Sequence, residues 1–288
     1  VYEHGGFGDL GVPLGCKKDF IDGRDQALSF LEFMLMGTEA LHCGVRRYTS
    51  PEEHPFFPDS LLSGPLSNLP QLEYPTDLLS SIGNASYENF NPILLQKYIS
   101  WIVPSVANTG DDEQHGSTVL ADIAVLQALS RRVHYGKFVA ESKYRSDPEG
   151  YQRLVDAGDA DGVMKLLTNS AVEARVLRRS RIKAATYGRE PLMTTLPEQK
   201  AAECGSDSVS FVAAAAASAV VTAFEALDDD ESEAVQGKVD PAVIESIYRD
   251  FVIPLTKDVE VAYLFRRCGR DPPKEYAPDR MSVDILEK

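Results

Sequence analysis

In the stretch LSRRVHYGKFVAESK, residues 129–143, Arg132 and Lys143 stand eleven positions apart. On one α-helix, eleven steps of about 100° make three turns plus roughly 20°, so both side chains leave the same face about 16 Å apart along the axis. Two long cations so placed can close on a small anion from both ends. Two further pairs are spaced by four: Asn169 with Glu173 in TNSAVEARVL, and Thr256 with Glu260 in IPLTKDVEVAYL. Three helices that each offer polar side chains from otherwise core-like segments can line a pocket inside a bundle. From pattern alone the simpler account is the ordinary one. Such pairs occur on any solvated helix, and Arg132 can serve an acidic neighbour.

The elements that must position these residues are helical, because apolar spacing of three and four dominates and strand alternation is scarce. A helix is predicted over 24–48, stopped by the prolines of SPEEHPFFPD, and a second over 92–103. A single long helix is predicted from about 117 to 146, with Leu120, Ile123, Leu126, Leu129 and Val133 as its apolar face. Two short helices follow, each with an aspartate near its start as cap, then one over 168–187. The last runs over about 241–268 and contains Pro254, where a kink is expected. This is an all-α, single-domain, multi-helix bundle over 1–288, with an alanine-rich and acidic insertion at about 189–237 and a C-terminal tail from about 269.

Composition narrows the partners. A net charge of −15 opposes binding to nucleic acid or to an anionic membrane surface, so an anionic ligand must meet a local cationic pocket. The window FVAAAAASAVVTAFEAL is mostly alanine and carries Ser218, Thr222 and Glu225, which makes a membrane span unlike it. Cys16, Cys43, Cys204 and Cys268 lie far apart without metal spacing, and read as isolated thiols in a reducing compartment. GFGDLG fits a dinucleotide fingerprint by letter, yet no strand precedes it, so it reads as a loop. No catalytic triad, zinc motif or phosphate loop is found, and neither a metal nor a cofactor is expected.

Four longer stretches carry a resemblance: GSTVLADIAVLQALSRRVHYGKFVAESKY, MKLLTNSAVEARVL, KVDPAVIESIYRDFVIPLTKDVEVAYLFRR and RRYTSPEEHPFFPD. Together they closely resemble the all-helical chorismate mutases of plants, algae and fungi. The resemblance covers most of 1–188 and 237–267 and leaves out the insertion and the tail. It implies a Claisen rearrangement of chorismate to prephenate, feeding phenylalanine and tyrosine synthesis without nucleophile, metal or cofactor. Catalysis then requires a flexible dianion held folded, and positive or donor groups at the ether oxygen as charge develops there. By the same resemblance Arg132 grips a carboxylate, Lys143 reaches the ether oxygen and a carboxylate, and Asn169, Glu173 and Thr256 bind substrate. Glu260 is expected to act as a protonated donor, giving activity that declines as pH rises.

The resemblance also implies a homodimer with an aromatic amino-acid effector (Trp, Tyr or Phe) at the interface, where Arg46, Arg47, Gly116 and Ser117 match. The ordinary alternative for the two arginines is a solvated pair at a helix end. Glu113, Gln114 and Leu120 replace residues that fungal members use there, and Asp240 replaces the fungal switch threonine, so the sign of the response is not readable. Family members begin with a long helix that supplies another active-site arginine, and this sequence is expected to start after it. Such a loss is expected to cost several kcal/mol of transition-state binding, since truncating one partner of a buried charged pair costs about 2 to 5. A noncatalytic helical binding protein is the alternative, and the compartment stays open between plastid and cytoplasm.

Overall fold

The computed structural model describes residues 28–61, 78–107, 110, 113–187 and 239–280. In chain order the helices are α1 (Phe30–Gly44), α2 (Asn91–Lys97), α3 (Val103–Val106), α4 (His115–His134) and α5 (Gly136–Ser146). They continue as α6 (Pro148–Asp156), α7 (Ala160–Leu167), α8 (Ser170–Tyr187), α9 (Pro241–Ile247) and α10 (Ile253–Arg267). Among the described residues there is no strand, and the fold is all-α as the periodicity predicts. The GFGDLG stretch and the alanine-rich insertion lie outside the described residues. Among the described residues no helix is long and apolar enough to cross a membrane.

The chain divides into two compact units, one of residues 1–168 with 254–288 and one of 169–253. In the first, α1 packs on α4; Leu31, Leu35 and Met36 are buried on α1, and Val119, Ile123, Leu126 and Val133 on α4. A further cluster joins Ala140, Tyr151, Val155, Val163 and Leu167 of α5 to α7 with Val261, Tyr263, Leu264 and Phe265 of α10. The tail beyond α10 belongs to this unit as well: Tyr276 packs on that cluster, and Arg280 pairs with Asp258 at 2.7 Å. In the second unit α8 packs on α9, with Arg181 and Glu245 at 3.5 Å.

Local signals fix the helix ends. Asp147 and Asp159 cap α6 and α7, accepting from Gly150 N at 3.0 Å and Gly162 N at 2.8 Å, as predicted. The first helix begins later than the sequence suggests within the described residues. Ser29 and Glu32 form a reciprocal capping box there, with Ser29 Oγ accepting from Glu32 N and Glu32 Oε2 from Ser29 N. It also ends earlier, at Gly44, which leaves Arg46 and Arg47 beyond it.

One expectation is corrected. The single helix over 117–146 is broken at Tyr135 into α4 and α5, although Tyr135 itself stays near helical dihedrals (φ −58°, ψ −19°). Near Pro254, where a kink is expected, the helix carries a π turn over Tyr248–Val252, and a second π turn over Tyr98–Ile102 precedes Pro104. A proline ring collides with the carbonyl four residues earlier. Those residues, Asp250 and Ser100, are each the middle of a π turn, where the widened coil makes room.

Candidate active site

The start of α5 lies directly against α10. Gly136 is buried, and a Cβ at this position would stand 2.8 Å from the Thr256 carbonyl oxygen, 3.1 Å from Thr256 Cγ2 and 3.2 Å from Glu260 Cγ. Only a glycine allows the two backbones this approach. Seven residues on, the Lys143 ammonium stands 3.8 Å from Glu260 Oε2 and donates a hydrogen bond to the Leu167 carbonyl. That carbonyl is the last of α7, one of the four a helix leaves without an internal partner, and it carries the negative end of the helix dipole. Glu260 is 6% exposed, so its carboxyl is held inside the core and meets a cation there. Burial, followed by the Glu260 charge, raises the Tyr151 phenol above its usual range.

Lys143, Thr256 and Glu260 are thus brought together, with Gly136 as the contact the sequence reading missed. A glycine inside a helical pattern was the available signal, since it marks close backbone approach. Arg132 lies one turn before Gly136 on α4, half-buried, and its side chain makes no hydrogen bond or ion pair among the described residues. The acidic-neighbour account fits Arg131 instead, which stands 3.6 Å from Glu53. Asn169 and Glu173 belong to the second unit. Asn169 Oδ1 accepts from Val172 N at 3.1 Å at the start of α8, and Glu173 N donates to the Asn169 carbonyl at 3.0 Å.

Of the residues matched to an effector site, Arg46 takes a left-handed conformation (φ 65°) at the turn after α1. Arg47 is not a freely solvated cation. It pairs with Glu53 at 2.9 Å and donates to Gln127 Oε1 at 2.9 Å. Gly116 and Ser117 are exposed in the first turn of α4. Gln127 lies eleven residues beyond Gly116, about 16 Å along the helix axis.

Next to this site is a polar cluster with no sequence signal. Lys137 is fully buried and donates to the Pro51 carbonyl at 2.7 Å, the Ser86 carbonyl at 2.7 Å and His54 Nε2 at 2.5 Å. In its ammonium form Lys137 has only donors, and His54 then carries its proton on Nδ1. His134, also fully buried, accepts from Phe90 N at Nε2 (3.0 Å) and stands at 2.8 Å from the Ser130 carbonyl through Nδ1. The two rings lie 4.3 Å apart. Burial, and then the Lys137 charge, pushes His134 down to about 3, and burial, then His134, lowers His54 further still. Both imidazoles are neutral at ordinary pH. Burial likewise brings Lys137 down to about 7, against the attraction of Glu52 and Glu88. Glu39 mirrors it, with burial raising its carboxyl to about 7 although it accepts from Phe56 N and Phe57 N at 2.6 and 3.0 Å.

Two surface hollows carry none of the predicted site residues: one lined by Tyr144, Glu149, Gln152 and Asp156, the other by Phe57, Pro92, Leu95 and Ile99. Cys43 and Cys268 are half-buried thiols, and Cys16 and Cys204 lie outside the described residues.

These features define an all-α protein whose ionic site is built where two packed helices meet. The relatives supply the family. The chain is 37% identical over 239 residues to chorismate mutase 1, chloroplastic, of Arabidopsis thaliana, spanning 83% of this chain and 61% of that protein. It is 38% identical over 241 residues to the chorismate mutase of Pichia angusta, spanning 83% and 71%. The fold matches the Aro7p chorismate mutase of Candida albicans in complex with L-Trp, with a TM-score of 0.66 and 35% identity over 90% of this chain and 82% of that one. It also matches AtCM1 with tyrosine bound in its allosteric site, with a TM-score of 0.63 and 34% identity over 88% and 84%. No protein-family model matches. The chain belongs to the chorismate mutase family, and it spans about three fifths of the length of the plant relatives it matches.

Proposed function

We propose that this chain isomerises chorismate to prephenate, using Arg132, Lys143 and Glu260 as catalytic groups and Asn169, Glu173 and Thr256 as substrate contacts. The observation that carries the reading is the Lys143 ammonium at 3.8 Å from a buried Glu260 carboxyl, on a helix face closed by Gly136 against Thr256. In the rearrangement the ether C–O bond breaks as a C–C bond forms within the same molecule, so no proton or leaving group must be handled. The chain's residues are left with holding the folded dianion and meeting charge at the ether oxygen. Lys143 reaches that oxygen, a protonated Glu260 donates to it, and the planar guanidinium of Arg132 takes a carboxylate.

The reading includes a homodimer with an aromatic amino acid, Trp, Tyr or Phe, bound at Arg46, Arg47, Gly116 and Ser117. Supporting it, two solved relatives carry L-Trp or tyrosine, and Leu41 of α1, Val45 just after it and Leu120 of α4 leave apolar side chains 75%, 58% and 58% exposed. Arg47 meets α4 about 16 Å from Gly116, an arrangement suited to a site completed across two copies. A plastid or cytosolic setting completes the proposal, one relative being named chloroplastic.

The test is loss of chorismate absorbance with this chain beside Arg132→Ala and Lys143→Ala. The expected result is turnover above the spontaneous rate that falls by about 100-fold or more in either variant, with a decline at rising pH that Glu260→Gln flattens. Absence of turnover, with a transition-state analogue still bound, would overturn catalysis in favour of a binding protein.

A further inference from the structure

Resting on that reading, we infer that Gly136 is a positioning residue that sets the width of the site by fixing how closely α5 approaches α10. Three observations converge on it. The nearest atom to a Cβ at 136 is the Thr256 carbonyl oxygen at 2.8 Å, several tenths of an ångström inside ordinary contact. That atom is helix backbone and cannot rotate aside as a side-chain tip can. The other two atoms, Thr256 Cγ2 and Glu260 Cγ, belong to the side chains proposed to face the substrate. Lys143 stands on the same helix as Gly136, and Ala140 between them is fully buried. Spacing α5 from α10 therefore moves Lys143 relative to Glu260, a pair now at 3.8 Å.

A methyl at 136 cannot be absorbed locally. Either α10 shifts, carrying Thr256 and Glu260, or α5 shifts, carrying Lys143. Catalytic constellations tolerate about 0.5 Å, and a misplacement of about 1 Å costs on the order of 100-fold in rate. Helix propensity alone favours alanine over glycine, so a loss on Gly136→Ala runs against the local preference. Gly37 on α1 supplies the control, since a Cβ there meets nothing within 4 Å.

The experiment compares the full chain with Gly136→Ala, Gly37→Ala and Ala140→Gly. The readouts are kcat and KM for chorismate, and the titration midpoint of the Glu260 carboxyl carbon in the ligand-free protein, assigned with Glu260→Gln. For Gly136→Ala the expected result is kcat lower by about 100-fold with KM changed far less, and a displaced Glu260 midpoint. Gly37→Ala should match the parent in both. A Gly136→Ala protein with kcat within threefold of the parent, or with an unmoved Glu260 midpoint, overturns the inference. Should that variant not fold, Ala140→Gly decides: removing a methyl from the same face moves both readouts if helix spacing governs the site, and neither if it does not. If the parent itself shows no turnover, the mutase reading fails, while the carboxyl titration still decides the role of Gly136.

Discussion

Replacing Lys137 by methionine keeps most of the length of the side chain, one atom short, and removes its ability to carry charge. The folded protein holds this amine near 7, whereas the unfolded chain returns it to 10.5. Between those values the unfolded state binds one proton more than the folded state, so folding releases a proton and stability rises with pH. The slope is about 1.4 kcal/mol per pH unit, which accumulates to about 5 kcal/mol across the window. Methionine has no such term. At pH 7 the variant strands the Pro51 and Ser86 carbonyls and His54 Nε2 without their donor, at a cost of about 1 to 3 kcal/mol each, offset by relief of the buried charge. The assay is urea unfolding of both proteins from pH 7 to 10. Groups common to the two titrate alike and cancel in the difference, which should widen in favour of the parent by about 1.4 kcal/mol per pH unit. A difference that stays level from pH 7 to 10 would refute a buried, neutralised lysine.

The opposite sign is expected at Glu39, whose carboxyl is raised to about 7 in the folded protein. Its contribution is complete below the unfolded value of 4.5 and is lost as pH rises to 7, so the gap between parent and Glu39→Gln should shrink by about 3 kcal/mol across that window, followed by urea unfolding over those pH values. Ser29→Ala removes one half of the α1 capping box, for an expected loss of about 1 kcal/mol. Its thermal midpoint should fall by about 2 to 4 °C, followed by circular dichroism.

What the sequence discloses divides along a physical line. Features written in neighbouring residues are legible: Asp147 and Asp159 occur where helices must begin, and they cap them. The pairing of Lys143 with Glu260 joins positions more than a hundred residues apart, and only the resemblance to a family links them beforehand. The break at Tyr135 is marked by neither a proline nor an unusual dihedral, only by the glycine that follows it. It coincides with the place where Gly136 is drawn against Thr256, which is a tertiary fact. Lys137 and His54 are the hardest case. Periodicity counts a lysine as solvated, and nothing in HYGKF announces that three acceptors from two distant loops converge on this one. Asp240 is read as the replacement of a switch threonine; in the structure its carboxylate caps α9, accepting from Ala242 N at 2.8 Å.

The burial of Lys137 also governs its covalent chemistry. In the folded protein the amine sheds its proton near neutrality and becomes nucleophilic, yet with 0% exposure no acylating reagent can reach it. When local opening admits a reagent, water returns the amine to its ordinary basicity, and at pH 7 only about one molecule in three thousand is then unprotonated. Access and reactivity exclude each other in time. An exposed lysine such as Lys165 has no such protection. In a map of lysine acylation Lys137 is therefore the residue that stays blank until the whole unit unfolds.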